Sequence, residues 1–431
     1  LSSSSAASDV YKRQENNVFQ LVVQYGAGER EFPKLGYAAQ LMNNAGIMGA
    51  YEPQELKEEL SKLNATCHVT ADDDNLYIIM EGYEATLPQA CQLLSRQILM
   101  PKLDEKQLAR LKGSAMGMRQ QRKDNVSILN EALRQYMLYG EKSDYIKELT
   151  DKEIYELQIS ELTGDINRAS NYEAKVFFTG TLPFDQVYDI LSKNLPLVAN
   201  ERPSNSPQAK DMMPVTENTV YFLPNNDAEQ AQIHLYIPMQ KADKKDDVLR
   251  SAFNQYFGLD FTGIVLNEIR EKRSMAYTAY AFVGTQGIAG KASYLRGYIG
   301  TQNDKANDAL DVLMGLVNDM PKNPERIDNI KSYLRQAMLT SHPSFRNKAM
   351  ELVDLGYRGY TDDPAKENLP KVDALTFDDI VKFYEENIKD KPYCISIMGN
   401  PKNIDLKRLE KFGKVVKLNE RKLFNTKDAL F

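Results

Sequence analysis

Residues 75–116 read NLYIIMEGYEATLPQACQLLSRQILMPKLDEKQLARLKGSAM, and residues 293–338 read SYLRGYIGTQNDKANDALDVLMGLVNDMPKNPERIDNIKSYLRQAM. Both run in one order: a strand-like apolar piece, a turn, a helix with apolar residues at helical spacing, Met-Pro-Lys, and a second helix. Met100-Pro101-Lys102 answers to Met320-Pro321-Lys322, and Ala115-Met116 to Ala337-Met338. Each half closes on an apolar strand ending in glycine, KVFFTG at Gly180 and CISIMG at Gly399. One such match means little; agreement in order and spacing across all of them marks an internal duplication. Its period is about 220 residues, too long for a solenoid and suited to two related domains.

Working outward, VFQLVVQYG and QAQIHLYIP are rich in β-branched and aromatic residues and read as strands. GYAAQLMNNAG and AFNQYFGLDF follow them as short apolar helices. LTDKEIYELQIS and LTFDDIVKFYEENI open with a threonine followed by acidic residues, as helix N-termini do. Between the halves, ANERPSNSPQAKDMMPVTEN carries Pro203, Pro207 and Pro214 and reads as extended linker. The expected organisation is a first domain over 15–198, a linker over 199–216 and a second domain over 217–431. Strands in pairs with helices between them predict an α+β fold: two homologous domains, each a mostly antiparallel sheet with helices packed on one face. The first fourteen residues, LSSSSAASDVYKRQ, lack the basic start and apolar core of a signal peptide. They resemble translated vector sequence, and residues 1–14 are read as a non-native leader.

The chain has 431 residues, a net charge of −6, 42% hydrophobic and 26% charged residues. That balance is of ordinary globular type and argues against a phosphate-binding surface, hence against nucleic acid as partner. No apolar run approaches the roughly 20 residues that span a bilayer. Cys67, Cys91 and Cys394 form neither a CxxC motif nor a disulfide framework. They leave the compartment open.

The chemistry-bearing stretch is LNEIREKRSMAYTAY, Leu266 to Tyr280. It reads as the last turns of a helix entering a strand, with Arg270 and Tyr277 at the junction. A guanidinium and a phenol there can both face a peptide laid alongside, one on a backbone carbonyl and one on a carbonyl under attack. Arg273 lies close enough that REKR could align a turn differently. Other constellations read blandly. His68, His234 and His342 stand far apart, with no pair at metal spacing. Asp72-Asp73-Asp74 lacks the glycine and distal glutamate of a calcium loop and reads as a hairpin turn. VGTQGIAGKAS, residues 283–293, lacks phosphate-loop spacing and reads as a strand connection. KKDD, residues 244–247, reads as a solvated helix start. No GxSxG or Cys–His nucleophile signature occurs.

Taken together, REKRSMAY, YLRGYIGT, SFRNKAMELVDLGYRGYTDDP and DDIVKFYEENI…YCISIMGN resemble the C-terminal half of pitrilysin/insulinase-type zinc peptidases, the group of mitochondrial processing peptidase. The resemblance covers essentially everything after residue 15. It implies a processing-peptidase-like metallohydrolase fold, and half of a clam-shell whose other half holds an inverted H-x-x-E-H zinc motif and a distant glutamate ligand. In this chain the helix lead is Gly36-Tyr37-Ala38. Ala39 and Asn43 then fall where the histidines belong, Met42 where the glutamate belongs, and Gln121 at the distant ligand. The resemblance therefore implies no metal and no catalytic residue here, and zinc in a partner half.

Arg270 keeps the seven-residue spacing to Tyr277 used in the family, which makes the pair the expected substrate holders. The implied function is the non-catalytic half of a zinc metalloendopeptidase, inactive alone, closing a chamber on unfolded peptide. Its partner is a zinc-bearing N-terminal half of the same chain, favoured by the leader reading, or a separate subunit. The alternative is a structural or assembly subunit of the same fold with no part in proteolysis.

Overall fold

The computed structural model describes residues 17–122, 125–195, 202–205, 207–258, 262–341 and 343–426. The leader and His342 lie outside them. In the first half, β1 (Val18–Tyr25), β3 (Thr66–Ala71), β4 (Leu76–Tyr83) and β6 (Ala174–Thr179) form an antiparallel sheet ordered β3-β4-β1-β6. A small ribbon pairs β2 (Gly46–Ile47) with β5 (Pro101–Lys102). In the second half, β7 (Thr219–Pro224), β8 (Gln230–Lys241), β9 (Ala276–Thr285), β10 (Ala292–Gln302), β11 (Cys394–Gly399) and β12 (Lys414–Lys417) form a sheet ordered β12-β7-β11-β8-β10-β9. Its pairings are antiparallel except those of β7 with β11 and with β12.

The duplication is visible element by element. After β4 come helices Leu87–Leu99 and Glu105–Gln120; after β10 come Ala306–Asn318 and Ile327–Thr340. Both threonine starts are capping boxes: Thr150 with Glu153, and Thr376 with Asp379. The first opens a helix of only Asp151–Tyr155, and a separate helix, Ile159–Ala169, follows it.

Each sheet buries one face under helices of its own half. Leu21, Val23, Leu76, Ile78 and Met80 enter the first core, and Ile233, Leu235, Ala281, Leu295 and Ile397 the second. The opposite faces are covered by exchange, which the sequence did not announce. Helix Val126–Tyr139 of the first half packs Leu129, Leu133, Met137 and Leu138 against Leu223, Tyr236, Cys394 and Met398 of the second sheet. Helix Lys348–Tyr357 of the second half returns the favour, setting Ala349 and Met350 against Val22, Tyr77, Ile79 and Phe177. The described part of the connecting segment is extended, as its prolines require, but tied down. Asn205 N donates to Gly26 O at 2.9 Å and Met213 N to Leu138 O at 2.7 Å. Among the described residues no helix is long and apolar enough to cross a membrane.

Candidate functional site

The junction at Arg270 is a tightly reversed chain. A short helix, Ile264–Leu266, widens into a π-helical turn over Asn267–Glu271, the kind of irregular turn that recurs at functional sites. Ser274 then takes a positive φ of 50°. Ser274 N donates to Arg270 O at 2.8 Å and Met275 N to Ile269 O at 3.0 Å. Fully buried Ile269 anchors the turn in the core, so Arg270 is folded back over the start of β9.

The register explains Tyr277. Thr278 lies opposite Gly300 while Ala276 lies opposite Thr301, so Tyr277 is the extra residue of a β-bulge. A bulge re-aims a side chain, and Tyr277 is 78% exposed in a strand whose Ala276 and Ala279 are buried. The Arg270 Cζ sits 5.2 Å from the centroid of its ring, a cation–π distance. Arg270 Nε also lies 3.5 Å from a Glu271 carboxylate oxygen. Arg273 is engaged elsewhere: its guanidinium donates to Glu268 O at 2.7 Å and pairs with the Glu268 carboxylate. Arg270 is therefore the arginine that shares the site with Tyr277.

The strand that carries Tyr277 is the edge of its sheet, and most of that edge is closed. Asn254, on helix Asp247–Phe257, donates from Nδ2 to Val283 O at 3.0 Å and accepts from Val283 N at 2.6 Å. Ala281 N donates to Gly258 O at 3.0 Å. The first sheet repeats the device on its edge strand β3. Asn43 Nδ2 donates to Val69 O at 2.8 Å, and Asn43 Oδ1 accepts from Val69 N at 2.7 Å.

Residues 170–334 match the sequence profile of the peptidase M16 inactive domain. That stretch of the chain is of the M16 inactive-domain type. Among solved structures it resembles the M16 inactive domain of Pseudomonas fluorescens, at 17% identity and a TM-score of 0.70, over 90% of this chain and 94% of that one. A protease of Helicobacter pylori is 15% identical with a TM-score of 0.68, over 89% and 94%. The periplasmic protease PqqL of Escherichia coli is 13% identical with a TM-score of 0.69, over 90% of this chain but only 43% of its own. At such identities the likeness speaks for the fold. No curated protein matches the sequence.

The residues at the position where the resemblance would put zinc do not fit that ion. Ala39 and Met42 are buried apolar core residues of helix Leu35–Met42. Asn43 spends its amide on Val69. Gln121 caps helix Glu105–Gln120, which does pack on helix Leu35–Met42. Among the described residues no group of three His, Cys, Asp or Glu side chains could hold a metal.

The remaining constellations take ordinary structural places in the chain. Asp72 Oδ1 accepts from Asp74 N at 2.8 Å and Asn75 N at 2.7 Å, closing the β3–β4 hairpin. Arg30 pairs with Asp73 and Asp74 at 3.1 and 3.0 Å. Residues 283–293 span the β9–β10 hairpin, and Asp247 opens a helix. The three cysteines are free thiols. His68 is exposed on β3.

His234 is buried on β8 and is 3.0 Å from Asn130 Oδ1 on the exchanged helix. Burial, then Arg296 and Arg134, holds its pKa down near 3, so the ring is neutral. Glu29, near the start of helix Leu35–Met42, is pushed up to about 6 by burial and by Asp73, Asp72 and Asp144.

Proposed function

We propose that this chain is the substrate-positioning half of an M16 metalloendopeptidase. It closes the chamber opposite a zinc-bearing half and holds unfolded peptide with Arg270 and Tyr277. The observation that carries the reading is the bulge at Tyr277. An edge strand spends a residue to turn a phenol outward beneath a guanidinium, and a packing role needs neither. Two donors set side by side match a peptide carbonyl, or the oxyanion that forms on it when water attacks. The catalytic half, on the same chain or as a separate subunit, supplies the metal and the general base. This half contributes orientation and charge stabilisation.

The test is cleavage of a long quenched peptide by the purified chain, alone and with an H-x-x-E-H-bearing M16 half. Turnover is expected only from the pair, with Tyr277→Phe and Arg270→Ala impairing it. A pair whose turnover ignores both substitutions would overturn substrate positioning and leave an assembly role for this half.

A further inference from the structure

We propose that Arg296 is a carboxylate-binding residue on the outer face of the second sheet, taking an acidic side chain or the C-terminus of the bound peptide. The proposal rests on the substrate-positioning reading and adds to it a residue that sets specificity. Arg296 stands on β10 between Tyr236 of β8 and Phe282 of β9. Leu295 and Ile299 of the same strand enter the core, so by strand alternation Arg296 projects from the opposite face. Helix Val126–Tyr139 covers that face over β8 and β11, where it packs on Tyr236 and Cys394. Tyr280 and Phe282, on β9, are left partly exposed. Arg296 lies at the margin of the cover and is itself half-buried.

What marks Arg296 is a charge without a counter-charge. Its Nε is buried with no hydrogen-bond partner, and among the described residues no carboxylate pairs with its guanidinium. The nearby oxygens are directed elsewhere. Glu131, on the covering helix, is held by Arg134 through both carboxylate oxygens. The Tyr298 hydroxyl donates to Gln232 Oε1, and that of Tyr236 to Met213 O at 3.4 Å. His234 carries no charge, kept neutral by burial and then by Arg296 and Arg134. Two arginines and one carboxylate therefore leave one positive charge over, in a chain whose net charge is −6. Drawing a guanidinium out of water without an anion is costly, and an uncharged side chain would pack there at less cost. The donor set names the ligand. A guanidinium presents N–H groups in a planar fork that fits the two oxygens of a carboxylate. The rings of Tyr280 and Phe282, 6.0 Å apart, give an apolar margin for the carbon chain that carries it. From Tyr277 to Phe282 the strand rises by roughly 17 Å, so the carboxylate is held well beyond the residues beside the cleaved bond. The contact is made by a side chain from the face of the sheet and asks nothing of the β9 edge.

The experiment measures binding to the whole chain by isothermal titration calorimetry, with three N-acetylated dodecapeptides of Ser, Thr and Gly. The first carries one Glu and an amidated C-terminus, the second a Gln in its place, and the third the Gln with a free C-terminal carboxylate. One carboxylate is expected to tighten binding about tenfold over the neutral second peptide. The gain falls to the first peptide if an acidic side chain is bound and to the third if the terminus is. Arg296→Gln should abolish the gain, leave the affinity of the neutral peptide unchanged and melt no lower than the parent, because Arg296 has no partner to lose. Arg296→Lys should keep part of the gain. Equal affinity of all three peptides, a gain that survives Arg296→Gln, or loss of neutral-peptide binding along with it would overturn the proposal. Turnover by the assembled pair tests the positioning reading separately. If Arg270→Ala and Tyr277→Phe leave turnover unchanged while the gain depends on Arg296, positioning fails and the carboxylate site stands. If they lower turnover and the three peptides bind alike, the carboxylate site fails alone.

Discussion

Asn43 and Asn254 hold the same post in the two halves, each giving its amide to both backbone groups of a valine on an edge strand, Val69 and Val283. A side-chain amide here imitates a neighbouring strand. It satisfies groups that would otherwise invite another chain to pair. Replacing either Asn by Ala leaves an N–H and a C=O without their partner, which should cost about 1–3 kcal/mol. Urea unfolding of Asn43→Ala and Asn254→Ala measures this, and an effect within error at both sites would contradict the bracing role. Asn43→His should lose the same stability and still hold far less than one equivalent of zinc, by metal analysis, because Ala39 and Gln121 offer no companion ligand.

Arg270→Ala and Tyr277→Phe should lower kcat/KM of the assembled peptidase by roughly 10²–10³-fold if each donor serves a developing oxyanion. Thermal unfolding should hardly move for Tyr277→Phe, since that side chain is 78% exposed. A matched loss of stability and activity would instead indicate a structural contact.

His234 makes stability depend on pH in a known direction. Its folded pKa near 3 lies below the unfolded value near 6.5, so its contribution is complete above about pH 6.5. It falls away as the unfolded chain takes up a proton, by roughly 1.4 kcal/mol per pH unit between those values. In His234→Gln the slope of stability against pH over that window should be shallower by about one proton. Equal slopes would mean the ring is protonated in the fold.

Glu29 should act in the opposite sense. Its folded pKa of about 6 exceeds the ordinary 4.5, so stability rises as pH falls from about 6 toward 4.5. Glu29→Gln should therefore melt higher than the parent at pH 8, with the difference closing by pH 4. A variant less stable at pH 8 would show that the carboxylate itself is needed there.

The exchanged helices should bind the halves together without a covalent link. Proteolysis at a site engineered into residues 207–211 should leave the two pieces co-eluting in gel filtration. Leu133→Ala, at a fully buried contact of helix Val126–Tyr139, should cost about 2–5 kcal/mol. Pieces that separate on cleavage would refute the exchange as a source of cohesion.

Much of the fold was legible because the repeated Met-Pro-Lys and the strand–helix–helix order are local, and so were both threonine caps. The exchange was not, although it left a trace. LVV in β1 and LYIIM in β4 are apolar at successive positions, the mark of a strand covered on both faces. Composition cannot say that the second cover comes from Ala349 and Met350, hundreds of residues away. Arg270 and Tyr277 were visible as residue types at a spacing. The bulge that turns Tyr277 outward depends on its register against Gly300 and Thr301, which only pairing reveals. Asn43 was read as a lost ligand; its bond to Val69 shows what the position does instead.

The loan of helix Lys348–Tyr357 to the first sheet has a consequence for synthesis. On a ribosome adding about 5–20 residues per second, that sheet can be laid down complete while Val22, Tyr77, Ile79 and Phe177 still face water. Their cover arrives many seconds later, when the chain has been made out to Tyr357. Through that interval the nascent protein presents a bare apolar face, and its yield in a cell should depend on what shields it.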